Sequence, residues 1–167
     1  MLLDKSYFQL TSCLIILFFA GCTGTVSTGR DLQVKDKLSQ ITANRPTSHL
    51  ELLLYEKFNQ IVRNSNKKSH FKLAYSLIVS NTQTLTIRQN SSNLKHTNVT
   101  VIFELINVQT EKVIHKGKIS SEATSGAVSS LYSQSKSSKF AQERLAILLA
   151  QRVYQNLYLY FLENSDS

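Results

Sequence analysis

Phe71-Lys72-Leu73-Ala74-Tyr75-Ser76-Leu77-Ile78-Val79 is the stretch whose reading decides the fold. Phe71, Leu73, Tyr75, Leu77 and Val79 fall on one side of an extended chain, because successive side chains of a strand point to opposite faces. Lys72, Ala74 and Ser76 fall on the other side. Alternation of this kind predicts a half-buried strand, with one face on a core and one towards water. Three further runs follow in the same style. Leu85 and Ile87 alternate with Thr84, Thr86 and Arg88, which continues the first strand as one long bent strand with a bulge or break near Ser80 to Gln83. Val99, Val101, Phe103 and Leu105 share one face of a second strand, Val99 to Val108. In a third, Lys112 to Glu122, the residues Val113, His115, Gly117 and Ile119 alternate with Lys112, Ile114, Lys116 and Lys118. Asn90-Ser91-Ser92-Asn93 and Asn107 to Thr110 read as turns. Links this short favour an antiparallel meander.

Two periodic segments flank the strands. His49 to Asn64 carries Leu50, Leu53, Leu54, Phe58, Ile61 and Val62 at three- and four-residue spacing, the mark of an amphipathic helix. Pro46 ends whatever precedes it, and Ser48 with Glu51 has the spacing of a capping box. Phe140 to Leu162 is a longer helix, with a stripe of Leu145, Leu148, Leu149, Val153, Leu157, Tyr160 and Phe161. Between strands and helix, Ser120 to Ser138 is rich in Ser, Thr and Gly and reads as a long loop. Upstream, Asp31 to Ala43 alternates loosely and suggests a first strand from Leu38 to Asn44. Two helices, each with one apolar side, can cover one face of a sheet. The expected fold class is α+β: a two-layer sandwich of two helices on a mainly antiparallel sheet of about four strands.

The N-terminus has a different character. Lys5 precedes an apolar run from Leu10 to Ala20, broken by Thr11 and Ser12. The run of roughly 10 residues suits a signal-peptide core and is short for a membrane-spanning helix. It ends in Leu17-Phe18-Phe19-Ala20-Gly21-Cys22. Small residues before a cysteine are what a lipoprotein signal peptidase cuts, and the Cys22 thiol can accept a diacylglycerol. Cleavage would make residues 1–21 a signal peptide, 22–30 a lipidated tether, 31–163 one periplasmic domain and 164–167 a polar tail. Cys13 would leave with the signal, so the mature chain would have no disulfide. Thr23, rather than Asp, after Cys22 favours the outer membrane.

Charge and chemistry narrow the function. The formal charge is +8, and Lys5 cancels Asp4 in the leader, so the basic excess belongs to the mature domain. His49, His70, His96 and His115 show no metal-ligand spacing. No carboxylate pair, phosphate loop or nucleophile elbow stands out. The expectation is a non-enzyme without metal or cofactor. Lys67, Lys68, Lys72, Lys112, Lys116, Lys118, Lys136 and Lys139 crowd strand ends and loops, and Arg88 and Lys95 flank one turn. They read either as a solvated face that resists edge pairing or as a footprint for a phosphate-bearing ligand. A periplasmic address argues against nucleic acid and for lipid phosphates.

The order of elements resembles the lipopolysaccharide-assembly lipoprotein LptE in its alphaproteobacterial form. The resemblance rests on Phe71-Lys72-Leu73 with Thr86-Ile87-Arg88, then Asn98-Val99-Thr100-Val101-Ile102-Phe103-Glu104-Leu105 and Val113-Ile114-His115-Lys116-Gly117. It continues through Phe140-Ala141-Gln142-Glu143-Arg144-Leu145-Ala146 to a helix ending Leu157-Tyr158-Leu159-Tyr160-Phe161. It implies a plug seated in the outer-membrane barrel LptD, which assists barrel assembly and insertion of lipopolysaccharide into the outer leaflet. It also implies lipopolysaccharide binding by basic residues. Arg88, Lys95 and Lys116 are the candidates here by charge and position, beside Cys22 for lipidation. The alternative is an accessory or ligand-binding lipoprotein of another outer-membrane lipid-transport system.

Overall fold

A computed structural model describes residues 29–62, 69–84, 94–125 and 130–164. Helix α1 spans Gly29–Ser39 and leads into a short strand β1, Ile41–Ala43. Helix α2 is His49–Val62. Three long strands follow: β2 (Phe71–Thr84), β3 (Leu94–Asn107) and β4 (Val113–Ser125). Helix α3, Leu131–Glu163, closes the chain. The sheet order is β1-β2-β3-β4. The last three strands form the antiparallel meander, and β1 pairs in parallel with the start of β2.

The strand alternation becomes a two-sided sheet. Leu73, Val99, Val101, Phe103 and Leu105 face inward and are fully buried. Leu54 and Phe58 of α2 meet them there, as do Leu149, Val153 and Leu157 of α3, in one core. Lys72, Ser76, Ile78, Ser80, Ile102, Lys116 and Lys118 stand exposed on the other face, which no helix of the described residues covers. The α+β layering is therefore the expected one, with a third helix added. At 33 residues α3 extends about 50 Å and β2, at 14, about 46 Å, so helix and sheet match in length.

The helix starts are chemically specified. Ser48 Oγ accepts from the Glu51 N–H at 3.2 Å. The Glu51 carboxylate in turn accepts from the Thr47 N–H at 2.8 Å and the Thr47 hydroxyl at 2.6 Å. This is the capping box expected from the spacing, shifted by one residue on its return bond. Burial alone would raise the Glu51 carboxyl, but the hydrogen bonds from Thr47, Ser48 and the Leu77 backbone outweigh it, and its pKa lies below the ordinary 4.5. A depressed carboxyl stabilises the fold above its unfolded pKa, and that contribution is lost as pH falls through the folded value. Stability should therefore drop on acidification below about pH 4.5 in the parent and less steeply in Glu51→Gln, as thermal midpoints measured across the range would report.

Four segments differ from the sequence reading. Leu38 to Asn44 is not one strand: α1 runs to Ser39, and only Ile41–Ala43 is extended. Val34 and Leu38, four apart and both buried, give the helical spacing that the looser strand alternation masked. Asp31 anchors α1, accepting from the Tyr158 hydroxyl at 2.7 Å and from Lys35 at 2.7 Å. That bond raises the Tyr158 pKa. Helix α1 starts at Gly29, inside the stretch read as tether. Strand β2 is one long strand to Thr84, with no break at Ser80 to Gln83, and the continuation from Leu85 to Arg88 lies outside the described residues. The Ser-rich segment is not a long loop either: β4 continues to Ser125 and α3 begins at Leu131. Ser130 caps α3 by accepting from the Ser133 N–H at 3.1 Å. The sequence-level turn at Asn107 to Thr110 is present, with Asn107 Oδ1 accepting from the N–H groups of Gln109 and Thr110.

Candidate functional site

Cys22 and Arg88 lie outside the described residues. Lys95 and Lys116 do not come together. Lys95 pairs with Ser125 and shares the parity of Thr97 and Val99, so it points to the helix-covered face. There it borders a cavity of about 410 Å³ with Asn81, Ser138, Lys139 and Gln142. Lys116 points to the open face and is paired with Glu104 at 2.8 Å. Along β3, Lys95 and Glu104, the residue opposite Lys116, are nine residues apart, about 30 Å. No single phosphate could engage both.

His96, His49 and His115 are held in local contacts. His96 Nδ1 lies 2.7 Å from Glu122, and His49 lies 3.3 Å from Glu143. His115 is on the core face, with Nε2 2.7 Å from Asn156 Oδ1 and its ring stacked on Tyr160 at 4.5 Å. Phe71, Phe161 and Tyr160 continue that aromatic cluster, with ring centroids 5.2 and 5.4 Å apart. Tyr75 is also held inward, its hydroxyl donating to the Asn44 carbonyl at 3.2 Å, and burial pushes its pKa up to about 12. Among the described residues no three His, Cys, Asp or Glu side chains gather where a metal could sit. These groups organise packing.

A larger concavity lies elsewhere. A groove of about 1000 Å³ runs between the end of β4, Glu122 to Ser125, and the first half of α3. Tyr132, Lys136, Phe140, Arg144 and Leu148 recur every four residues along its helical wall. Tyr132 and Phe140 are 71% and 62% exposed, far more than a packing role requires. Lys136 sits 5.5 Å from the Tyr132 ring centroid, a cation–π distance. The wall is thus apolar and basic in alternation. Reading Ser120 to Ser138 as a loop hid this ridge, since its first two members were assigned no helical register. The four-residue spacing of aromatic and basic residues was the available signal.

No protein-family model and no curated protein matches the chain. Its fold does match solved structures. An inferred lipoprotein of Caulobacter crescentus superposes with a TM-score of 0.63 at 20% identity, covering 80% of this chain and 98% of that one. Rare lipoprotein B of Shewanella oneidensis gives 0.59 at 13% identity, over 75% and 96%. A minor lipoprotein of Acinetobacter baumannii gives 0.52 at 14%, over 72% and 89%. At these identities the likeness is one of fold: the chain has the α+β architecture found in these bacterial lipoproteins.

Proposed function

We propose that this chain is a lipid-anchored outer-membrane lipoprotein that seats in and assists assembly of the LptD barrel, so that lipopolysaccharide reaches the outer leaflet. The observation that carries the reading is the near-complete overlap of its fold with two lipoproteins, 98% and 96% of their lengths. The small residues leading to Cys22 support the same address. A domain with an open sheet face rich in Ser, Thr and Lys, though it also exposes Ile78 and Ile102, suits the polar interior of a wide barrel. Lipid A phosphates would meet its basic side chains one at a time, Lys95 on one face and Lys116 on the other. The mechanism is binding, with the anchor raising local concentration at the barrel mouth.

Depletion tests this reading. Cells that lose the protein should lose surface lipopolysaccharide and accumulate it in the inner membrane, as surface labelling and fractionation would report. Unchanged surface lipopolysaccharide would instead favour service to another lipid-transport system.

A further inference from the structure

We propose that the groove between β4 and α3 is a docking site for an extended polypeptide segment of a partner protein, one that pairs with the β4 edge and alternates apolar and acidic side chains. The inference is independent of which envelope complex the chain serves.

The backbone leaves a pairing edge open. Among the described residues, β4 is the outermost strand of the sheet. The Ser120 carbonyl points away from β3, since Arg152 of α3 donates to it at 3.1 Å. In an antiparallel ladder, backbone groups alternate between the paired side and the free side. Glu122 and Thr124 therefore also direct their N–H and C=O groups outward, at the mouth of the groove. The rest of the edge is blunted. A β-bulge disrupts the register opposite Leu105 and Ile106, Lys116 and Lys118 follow, and Arg152 occupies Ser120. Devices of this kind discourage strand addition. From Ala123 to Ser125 the strand has no charged residue and no proline.

The helix sets a ridge beside that edge. Residues four apart on α3 rise about 6 Å, close to the roughly 6.6 Å between same-face residues of a strand. An added strand would thus set every second side chain against the ridge Tyr132, Lys136, Phe140, Arg144, Leu148. Its complement reads apolar, acidic, apolar, acidic, apolar. Glu122 does not compete for the basic positions, because its carboxylate is on the open face with His96. Strand addition with pockets for alternate side chains is a recurring mode of peptide recognition. A lipid could use the ridge, but it would have no use for an open strand edge beside it.

The test uses the full chain and a fluorescent nine-residue peptide, blocked at both ends, with Val, Glu, Phe, Glu and Val at odd positions and Thr at even ones. Anisotropy should show saturable binding. Thr124→Pro removes one outward N–H while leaving the β3 ladder intact, and should weaken binding by about tenfold. Arg144→Glu, at an exposed helical position, should weaken it further and shift preference to a peptide with Lys in place of Glu. Far-UV circular dichroism of both variants checks the fold. If Thr124→Pro proves misfolded, the charge swap at Arg144 decides. No binding by the parent protein would overturn the proposal. So would peptide binding that both variants leave unchanged, or binding of anionic lipid micelles to the ridge with no peptide competition.

Discussion

Gly117→Val should lower the stability of the domain by about 3 kcal/mol, at the upper end for overpacking a core. Gly117 faces inward directly opposite Phe103 on β3. A Cβ built at Gly117 would stand 2.2 Å from Phe103 Cζ and 2.6 Å from Cε1. No carbon pair tolerates that distance, so ring or strand must move. The ring cannot swing freely: Phe103 is fully buried, and His115 packs 6.1 Å away from its centroid. The glycine is there to leave the ring a seat. Urea unfolding would read the loss, and pairing Gly117→Ala with Phe103→Leu should recover part of what Gly117→Ala loses alone. Lys118→Val is the control one residue along, on the open face, where the change should stay within about 0.5 kcal/mol. Equal stability of Gly117→Val and the parent would refute the packing described for this pair.

Phe58→Ala should cost about 3–5 kcal/mol, the range for truncating a buried aromatic. Phe58 is fully buried and, with Leu54 and Val62, forms the inward stripe of α2 that seats on α3 and the sheet. Against a total stability of about 5–15 kcal/mol for a typical domain, that loss is large. It should lower the thermal midpoint by roughly 10–20 °C. Glu56→Ala, two residues away and exposed, should barely move it. The pair of measurements separates burial of one ring from any general sensitivity of α2.

Much of this architecture is written in local patterns. The odd positions from Phe71 to Val79 and from Val99 to Leu105 are the core face, and Leu54, Phe58 and Val62 show why a four-residue spacing is a helix. Ser48 and Glu51 mark the start of α2 by chemistry alone. What stayed hidden depends on tertiary contacts. Helix α1 has only Val34 and Leu38 inward, too few for a periodic signal, and it is fixed by Asp31 meeting Tyr158, 127 residues away. The first turns of α3 contain four serines, Ser133, Ser135, Ser137 and Ser138, poor helix formers in isolation. They extend a helix already formed by its buried second half, and propagation is far easier than nucleation. The candidate site suffered from the same gap. Lys95 could be placed on the core face by its parity with Val99, and Lys116 on the opposite face by its parity with Lys118. Charge alone had grouped them. The ridge from Tyr132 to Leu148 became visible only once the Ser-rich stretch was helical.

Under the proposed function, this domain works as the bound partner of an outer-membrane barrel. The most direct measurement is affinity purification of the tagged full-length protein from gently solubilised membranes, with the associated proteins identified by mass spectrometry. The expected result is stoichiometric recovery of a large barrel of the LptD type, with the complex migrating far above the 18.9 kDa chain. Recovery of the monomer alone, under conditions that keep other envelope complexes intact, would contradict it.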